Sequence, residues 1–359
     1  MTISISNPQL GQDEIERVTE VIEGGMLADG PEVRAFEDEF ASYCGAEYAV
    51  ATANGTTALH AALEALDVGP GDRVVTTPFT FIATANAITL AGAEPAFVDI
   101  DPETYNIDPD RLEERLRDGD RVDAVVAVHL YGLPADVKRL RELANEYDFA
   151  LVEDAAQAHG ATVDGERVGT FGDAACFSFY PTKNMTTGEG GMITTDDPDV
   201  AANAAQFVDH GRTEGYEHAE VGHNFRMTSI AAAIGRVQLD RLPTYTERRQ
   251  SNAETLTEEL ADTPVRTPTV PDGRTHVFHQ YTIRYEDRDG LKSALAERDI
   301  DAAVYYPVPI HRQEAYEDAT ADAPESERAA EEVLSLPVHP GVSSDDARDI
   351  AGAVREVVR

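Results

Sequence analysis

The stretch FSFYPTKNMTTGEGGM, residues 177–192, joins two apolar segments through a polar loop. Residues 175–180 and 190–197 are predicted strands, and the loop between them is rich in glycine and threonine. This loop carries Lys183, in a chain whose 29 basic residues include three lysines. Lysine can form a Schiff base with an aldehyde, whereas the guanidinium of arginine stays protonated. We therefore predict that Lys183 is a reactive amine; a chance surface lysine is the alternative interpretation.

Strands and helices alternate through the residues that precede this stretch. Short apolar runs predict strands, and runs with a 3.6-residue period predict helices. The predicted strands are 47–53, 73–78, 94–100, 123–132 and 149–155, and the predicted helices are 58–68, 81–93, 111–119 and 136–147. With the two strands of the opening stretch, this alternation predicts an α/β fold with a mostly parallel, seven-stranded sheet flanked by helices.

The pattern changes after residue 197. A helix of small residues is predicted at 229–242, and a second unit follows it. That unit has predicted strands at 276–286 and 302–309, a predicted helix at 291–299, and acidic helices to the end. We therefore predict a large domain over residues 1–244 and a smaller C-terminal α/β domain over residues 245–359.

Polar residues follow the predicted strands, at the edge where an open α/β sheet binds its ligands. Residues 54–57, NGTT, offer backbone N–H groups that suit a phosphate, although an ordinary N-cap is the alternative. Asp154 can pair with a ring nitrogen, and a capping or metal-binding carboxylate is the alternative. Phe81 can stack on a planar ring or fill the core, and Ser178 can bind phosphate or be a buried hydroxyl. With Lys183 they predict one site for phosphate binding, ring stacking and Schiff-base chemistry.

The charge of the chain is strongly negative, with 67 acidic against 29 basic residues and a net charge of −38. This balance excludes a nucleic-acid-binding face, which needs clustered basic residues. The acidic residues are spread along the whole chain, and such a surface repels itself in dilute buffer. We interpret the composition as typical of an extreme halophile; an ordinary acidic cytosolic protein is the alternative.

Targeting and metal-binding signals are missing from the sequence. The first residues lack a basic segment followed by an apolar one, and no apolar run approaches the length of a membrane span. We therefore expect a soluble, cytoplasmic protein without a membrane partner. Cys44 and Cys176 form no CxxC pair, so we expect neither a disulfide framework nor a metal site.

The ordered set of motifs resembles the DegT/DnrJ/EryC1/StrS family, the sugar aminotransferases among the fold-type I pyridoxal 5′-phosphate (PLP) enzymes. The resemblance runs almost from end to end. It is carried by ANGTTAL (53–59), TPFTFIATANAI (77–88), VHLYG (128–132), VEDAAQAHG (152–160), FSFYPTKNMTTGEGGM (177–192), GHNFRM (222–227), VYYPVPIH (304–311) and SLPVHPG (335–341).

The resemblance implies a role for each site residue. Lys183 would form the Schiff base with PLP and later move a proton between substrate and cofactor, and Asp154 would pair with the pyridine nitrogen. The other implied contacts are Gln157 at the cofactor O3′ side, Phe81 on the ring, and Gly55, Thr56 and Ser178 at the phosphate. Asn224 would reach the phosphate from the partner subunit, which implies a homodimer with shared active sites.

The resemblance also implies the reaction. The amino donor would be glutamate, and the acceptor a nucleotide-linked keto-sugar, with the TTGEGG loop favouring a 4-keto group. A 3-keto-sugar, a cyclitol ketone and a PLP-binding regulatory protein remain alternatives. Lysine at position 183 favours transamination over the dehydration catalysed by superfamily members with histidine there. His311, Tyr306, Arg226, His339 and Arg212 are candidates for the acceptor pocket, each with a packing explanation as its alternative.

Overall fold

The structure of the protein, a computed structural model, describes residues 2–358. Within these residues, α-helices and strands alternate along the first half and are less regular in the second. In chain order they are α1 (Gln12–Gly24), α2 (Pro31–Cys44), β1 (Tyr48–Thr52), α3 (Gly55–Ala65), β2 (Arg73–Thr76), α4 (Ala83–Leu90), β3 (Glu94–Phe97), α5 (Pro109–Arg117), β4 (Ala124–Val128), α6 (Val137–Tyr147), β5 (Ala150–Asp154), β6 (Thr162–Val163), β7 (Glu166–Arg167), β8 (Ala174–Ser178), β9 (Gly191–Thr195), α7 (Pro198–Val208), α8 (Ser229–Leu260), β10 (Arg274–Thr275), β11 (Tyr281–Arg284), α9 (Arg288–Ala296), α10 (Pro324–Glu332), β12 (Val333–Leu336) and α11 (Ser344–Val357).

Seven strands form the main sheet, in the order β1-β9-β8-β5-β4-β2-β3. The pairs from β8 to β3 are parallel, and β9 runs antiparallel to both of its neighbours. Helices cover both faces, and apolar side chains fill the two layers between sheet and helices. This is the α/β fold with a mostly parallel seven-stranded sheet that the sequence predicts.

The central strands are buried because β4, β5 and β8 have helices above and below them. All five residues of β4 and of β8 are buried. Such strands are near-continuous apolar runs, which explains why their positions could be predicted from sequence. Their carboxyl ends, with the end of β1 and the start of β9, meet at one edge of the sheet.

The C-terminal residues have a core of their own. Tyr281, Leu334 and Ile350 belong to an apolar cluster drawn from the second half of α8 onward. Here β11 and β12 pair antiparallel, and α9 and α11 pack beside them. Helix α8 runs without interruption across residues 244 and 245, so the proposed boundary between the domains falls inside a helix.

Three predicted elements are corrected by the structure. The helix predicted at 229–242 extends to Leu260, because Pro243 lies inside it without ending it. The strand predicted at 276–286 is confined to β11, after an irregular segment. Residues 302–309 form no strand: Ala303 makes one isolated bridge to Ser335, and the following prolines end the pairing.

None of the helices in residues 2–358 is both long enough and apolar enough to cross a membrane.

Candidate active site

A cavity of about 690 Å³ opens at the carboxyl edge of the sheet. The registers of three strands place Thr52, Gly191 and Ser178 side by side at this edge. The residues lining the cavity include Asn54, Gly55, Thr56, Phe81, Asp154, Gln157, Ser178, Lys183 and Tyr306. The structure therefore brings together eight of the site residues predicted from sequence, with Asn54 of the predicted NGTT turn beside them.

The first turn of α3 forms one wall of the cavity. Asn54 caps this helix, since its side chain accepts a hydrogen bond from the Thr57 N–H at 2.9 Å. A Cβ atom added to Gly55 would lie 2.7 Å from the Ser178 Cβ, so only glycine permits this close approach of helix and strand. The helix N-terminus, with the Thr56 and Ser178 hydroxyls beside it, forms an electropositive, hydrogen-bonding cradle suited to phosphate.

Lys183 and Asp154 form the charged part of the cavity. Lys183 is half-buried, and burial lowers its pKa to about 8, an effect opposed by the charge of Asp154. Burial raises the pKa of Asp154, whereas a 2.8 Å hydrogen bond from the Thr84 hydroxyl and one from the Ala156 N–H oppose the rise. The carboxylate is therefore held in a fixed orientation inside the site, and the amine is easier to deprotonate than that of an exposed lysine.

Gln157, Tyr306 and Phe81 line the side of the cavity that faces the C-terminal residues. The Gln157 side chain accepts a hydrogen bond from the Tyr131 N–H at 2.8 Å, and its amide donates to the Tyr306 hydroxyl at 3.2 Å. The Phe81 ring is 54% exposed, and its centroid lies 6.0 Å from that of Tyr306. The Phe81 face is thus open to a ligand instead of filling the core.

Five predicted site residues lie away from this cavity in the single chain. Asn224 accepts hydrogen bonds from Arg226, and Arg226 and Arg212 each form an ion pair with Asp209. His311 contacts Glu327 at 3.0 Å. His339 contacts the Ser4 carbonyl at 3.0 Å. Their roles stay predictions.

Sequence reasoning missed further polar residues in the cavity. Thr84 lies in the first turn of α4, and its sequence position gives no sign that it donates to Asp154. Glu189, His279 and Gln280 also line the cavity. His279 belongs to the irregular segment before β11. The sequence pattern predicts this segment as part of a strand over 276–286, so it does not single out His279 as a site residue.

Comparison with known proteins identifies the family. Residues 8–355 match the model of the DegT/DnrJ/EryC1/StrS aminotransferase family. The chain belongs to this family. A relative named pleiotropic regulatory protein, from Geobacillus stearothermophilus, is 40% identical over 366 residues, which cover 100% of this chain and 98% of the relative. A UDP-N-acetyl-3-dehydro-alpha-D-glucosamine 3-aminotransferase from Acidithiobacillus ferrooxidans is 38% identical and covers 97% of this chain and 94% of its own.

Solved structures of the DegT/DnrJ/EryC1/StrS family share the fold. DesV from S. venezuelae superposes with a TM-score of 0.93 at 38% identity, covering 96% of this chain and 93% of its own. An aminotransferase from Brucella abortus has a TM-score of 0.93 at 36% identity, and the match covers 96% of this chain and 95% of the Brucella chain. The family assigns the chain to the PLP-dependent aminotransferases, which are transferases.

The residues of the cavity fit PLP. The glycine-tight cradle at α3 suits its phosphate, a buried carboxylate suits a protonated ring nitrogen, and an amine with a lowered pKa suits its aldehyde. Bound PLP supplies an aldehyde, which reacts with an amine, and a ring that withdraws electrons.

Proposed function

We propose that the protein transfers an amino group from glutamate to a nucleotide-linked keto-sugar. The observation that carries this proposal is the placement of Lys183 and Asp154 in one cavity with the first turn of α3. The cavity is large enough for a cofactor and a bound sugar, within the size range of small-molecule sites. Several relatives bear names of nucleotide-sugar aminotransferases, which favours this substrate class.

The proposed roles are those that the family resemblance implies, and the geometry supports them. Gly55, Thr56 and Ser178 bind phosphate, and Phe81 covers one face of the ring. Asp154, oriented by Thr84, holds a proton on the ring nitrogen. The side-chain amide of Gln157, which donates to the Tyr306 hydroxyl in this structure, would donate a hydrogen bond to the cofactor.

Lys183 is the proposed acid and base of the reaction. The Nζ atom of Lys183 would hold PLP and would then accept and release the proton at the substrate carbon. A pKa lowered to about 8 suits this task, because the amine must both accept and release a proton at physiological pH.

A homodimer with shared active sites is part of the proposal. Asn224 lies outside the cavity of its own chain, as expected for a residue that acts in the partner's site. Exposed apolar side chains support an interface: Leu10, Ile15, Ile22 and Met26 are between 56% and 60% exposed, and Tyr216 and Val221 near Asn224 are 96% and 88% exposed. The proposed pocket residues Arg226, His311 and His339 also await a test.

The ring position of the ketone has two candidates. The TTGEGG loop after Lys183 favours a 4-keto group. The printed names of relatives at 37–39% identity favour a 3-keto group, since four of them are 3-aminotransferases or enzymes of 3-amino sugars. We place the 4-keto-sugar first and the 3-keto-sugar second.

The test is a two-step reaction on purified protein loaded with PLP. Glutamate should remove the visible absorbance of the bound cofactor, and the matching keto-sugar from a panel of 3-keto and 4-keto nucleotide sugars should restore it. Lys183→Ala should abolish both changes. Lys292→Ala, which alters an exposed lysine on α9, should leave both intact.

A PLP-binding regulatory protein is the second candidate function, because the Geobacillus stearothermophilus relative carries a regulatory name. Such a protein would bind PLP and show the visible band. Loss of the band with glutamate and its return with a keto-sugar would exclude it, whereas a band unchanged by any amino donor would favour it. Cytoplasmic location and adaptation to high salt stay predictions.

A further inference from the structure

Arg249 on α8 is a buried cation with no acidic partner among residues 2–358. It is 5% exposed, and burial alone lowers its pKa to about 10, with no carboxylate opposing the shift in the described part of the chain. One guanidinium nitrogen donates to the carbonyls of Phe278 and His279, at 3.1 and 3.3 Å. A buried unpaired charge is costly, so its retention calls for an explanation beyond packing.

The irregular segment that Arg249 contacts, residues 276–279, is fixed by several side-chain hydrogen bonds. Four consecutive carbonyls, those of residues 276–279, each accept a side-chain hydrogen bond: Gln250 donates to the first, Asn184 to the second, and Arg249 to the other two. Phe278 has a φ of 44°, a strained conformation for a non-glycine residue. Strain fixed by surrounding contacts is characteristic of segments that position a functional side chain.

The side chain that this segment presents is His279. It lines the cavity with Lys183 and is 7% exposed. Its Nδ1 atom is enclosed and has no hydrogen-bond partner within residues 2–358, so the ring has hydrogen-bonding capacity that the chain itself does not use. Burial, followed by the charges of Lys183 and Arg249, lowers the pKa of His279 well below its ordinary value, so the ring is neutral and carries one N–H.

This end of the cavity suits a carboxylate. Lys183 and the helix N-terminus are already assigned to the cofactor, whereas His279 is free to donate a hydrogen bond. The charge of Arg249 lies behind it and favours an anion in front of it. An amino donor that reaches Lys183 must bring its α-carboxylate close to the reacting carbon, and glutamate has such a group.

We propose that His279 binds the α-carboxylate of the amino donor and that Arg249 is a positioning residue that holds His279 in place. This inference rests on the proposed transamination. It adds a donor-binding subsite formed by the irregular segment before β11, separate from the residues assigned to the cofactor.

The experiment measures donor binding in two ways on the PLP-loaded protein. The concentration of L-glutamate giving half the maximal rate of loss of visible absorbance reports on the reacting donor. α-Methyl-L-glutamate lacks the proton that must be removed, so its effect on the spectrum gives an equilibrium dissociation constant. The PLP dissociation constant and the melting temperature are measured beside them. The variants are His279→Phe, His279→Gln, Arg249→Met and Arg249→Lys.

We expect His279→Phe to raise both donor constants about 10-fold or more, the range for a lost hydrogen bond to a charged group, with PLP affinity unchanged. His279→Gln, which keeps an N–H donor, should restore much of the loss. Arg249→Met should weaken donor binding in the same direction, and Arg249→Lys less. Arg288→Met is the control: Arg288 is also buried and pairs with Asp289, and it donates to two carbonyls, of Ala330 and Val333, that lie outside the His279 segment. It should lower the melting temperature without changing the donor constants.

Three results would overturn the inference. If the donor constants of His279→Phe equal those of the wild type, His279 does not bind the donor. An equal loss of PLP affinity in that variant would make His279 a cofactor residue. If the wild-type protein reacts with none of glutamate, glutamine, aspartate and alanine, the proposed transamination fails and this inference fails with it.

Discussion

At the scale of single residues, the chemistry depends on the environment of Lys183. The sequence pointed to this residue through the scarcity of lysine and the glycine-rich loop. It could not give the pKa, because that depends on burial and on Asp154, which is distant in sequence and close in space. Thr84 shows the same limit: its hydrogen bond to Asp154 joins residues 70 positions apart.

The lowered pKa of Lys183 predicts how cofactor capture depends on pH. The neutral amine attacks the aldehyde, so the rate of PLP capture by the cofactor-free protein should rise with pH, with its midpoint at about pH 8 and a plateau about one unit above it. An ordinary lysine, with a pKa of about 10.4, would continue to gain rate beyond pH 9. Stopped-flow measurement of the visible absorbance between pH 6 and 10 gives the profile.

A variant provides the check on this profile. Asp154 opposes the lowering of the Lys183 pKa, so Asp154→Asn should move the midpoint to lower pH. A wild-type profile that keeps rising to pH 10, or a midpoint that Asp154→Asn moves upward, would contradict the assignment of the titrating group to Lys183.

At the scale of elements, the buried strands and their polar ends could be predicted, and the C-terminal segments could not. Strands β4, β5 and β8 are apolar runs bounded by polar loops, so pattern alone locates them. Residues 302–309 are also largely apolar but form no strand, since Tyr306 faces the cavity and prolines remove N–H donors from pairing. Tertiary contacts therefore override the pattern in this part of the chain.

The contact between α3 and β8 predicts the effect of one methyl group. Gly55→Ala places a Cβ atom against Ser178, which would push the helix N-terminus away from the phosphate position. We expect PLP affinity to fall about 10-fold or more, the range for weakened hydrogen bonds to a charged group, while binding of pyridoxal, which has no phosphate, changes little. Titration of the cofactor-free protein with each compound measures both.

Gly352→Ala is the matched control, because a Cβ atom there meets no atom of residues 2–358 within 4 Å and the residue lies in α11. Equal losses of PLP and pyridoxal affinity in Gly55→Ala would show that the helix N-terminus does not serve the phosphate.

At the scale of the whole molecule, the proposed dimer predicts complementation between two damaged chains. A site that needs Lys183 from one chain and Asn224 from the other loses activity if either is replaced. When Lys183→Ala and Asn224→Ala chains are unfolded together and refolded, half of the dimers are mixed and have one intact site. We expect up to about a quarter of wild-type activity, since symmetric association places the two sites across one interface.

The activity of each variant refolded alone is the baseline of this experiment. A mixture no more active than the sum of the two separate preparations would show that Asn224 does not act across the interface. A fully active Asn224→Ala homodimer would remove Asn224 from the site altogether.

The net charge of the molecule predicts a dependence on salt. Each chain carries −38, so two chains carry twice that charge, −76, and their repulsion opposes folding and association together. At about 1 M salt the Debye length falls to about 3 Å, which screens charges on neighbouring chains from one another. We therefore expect melting temperature and dimer fraction to rise together from dilute buffer to molar potassium chloride.

PLP should partly rescue the low-salt protein, because a ligand at about 100 times its dissociation constant stabilises the folded state by about 2.7 kcal/mol. Calorimetry measures the melting temperature and light scattering measures the dimer fraction, each over a salt series with and without PLP. A melting temperature that stays constant across the series would show that the acidic surface is not an adaptation to salt.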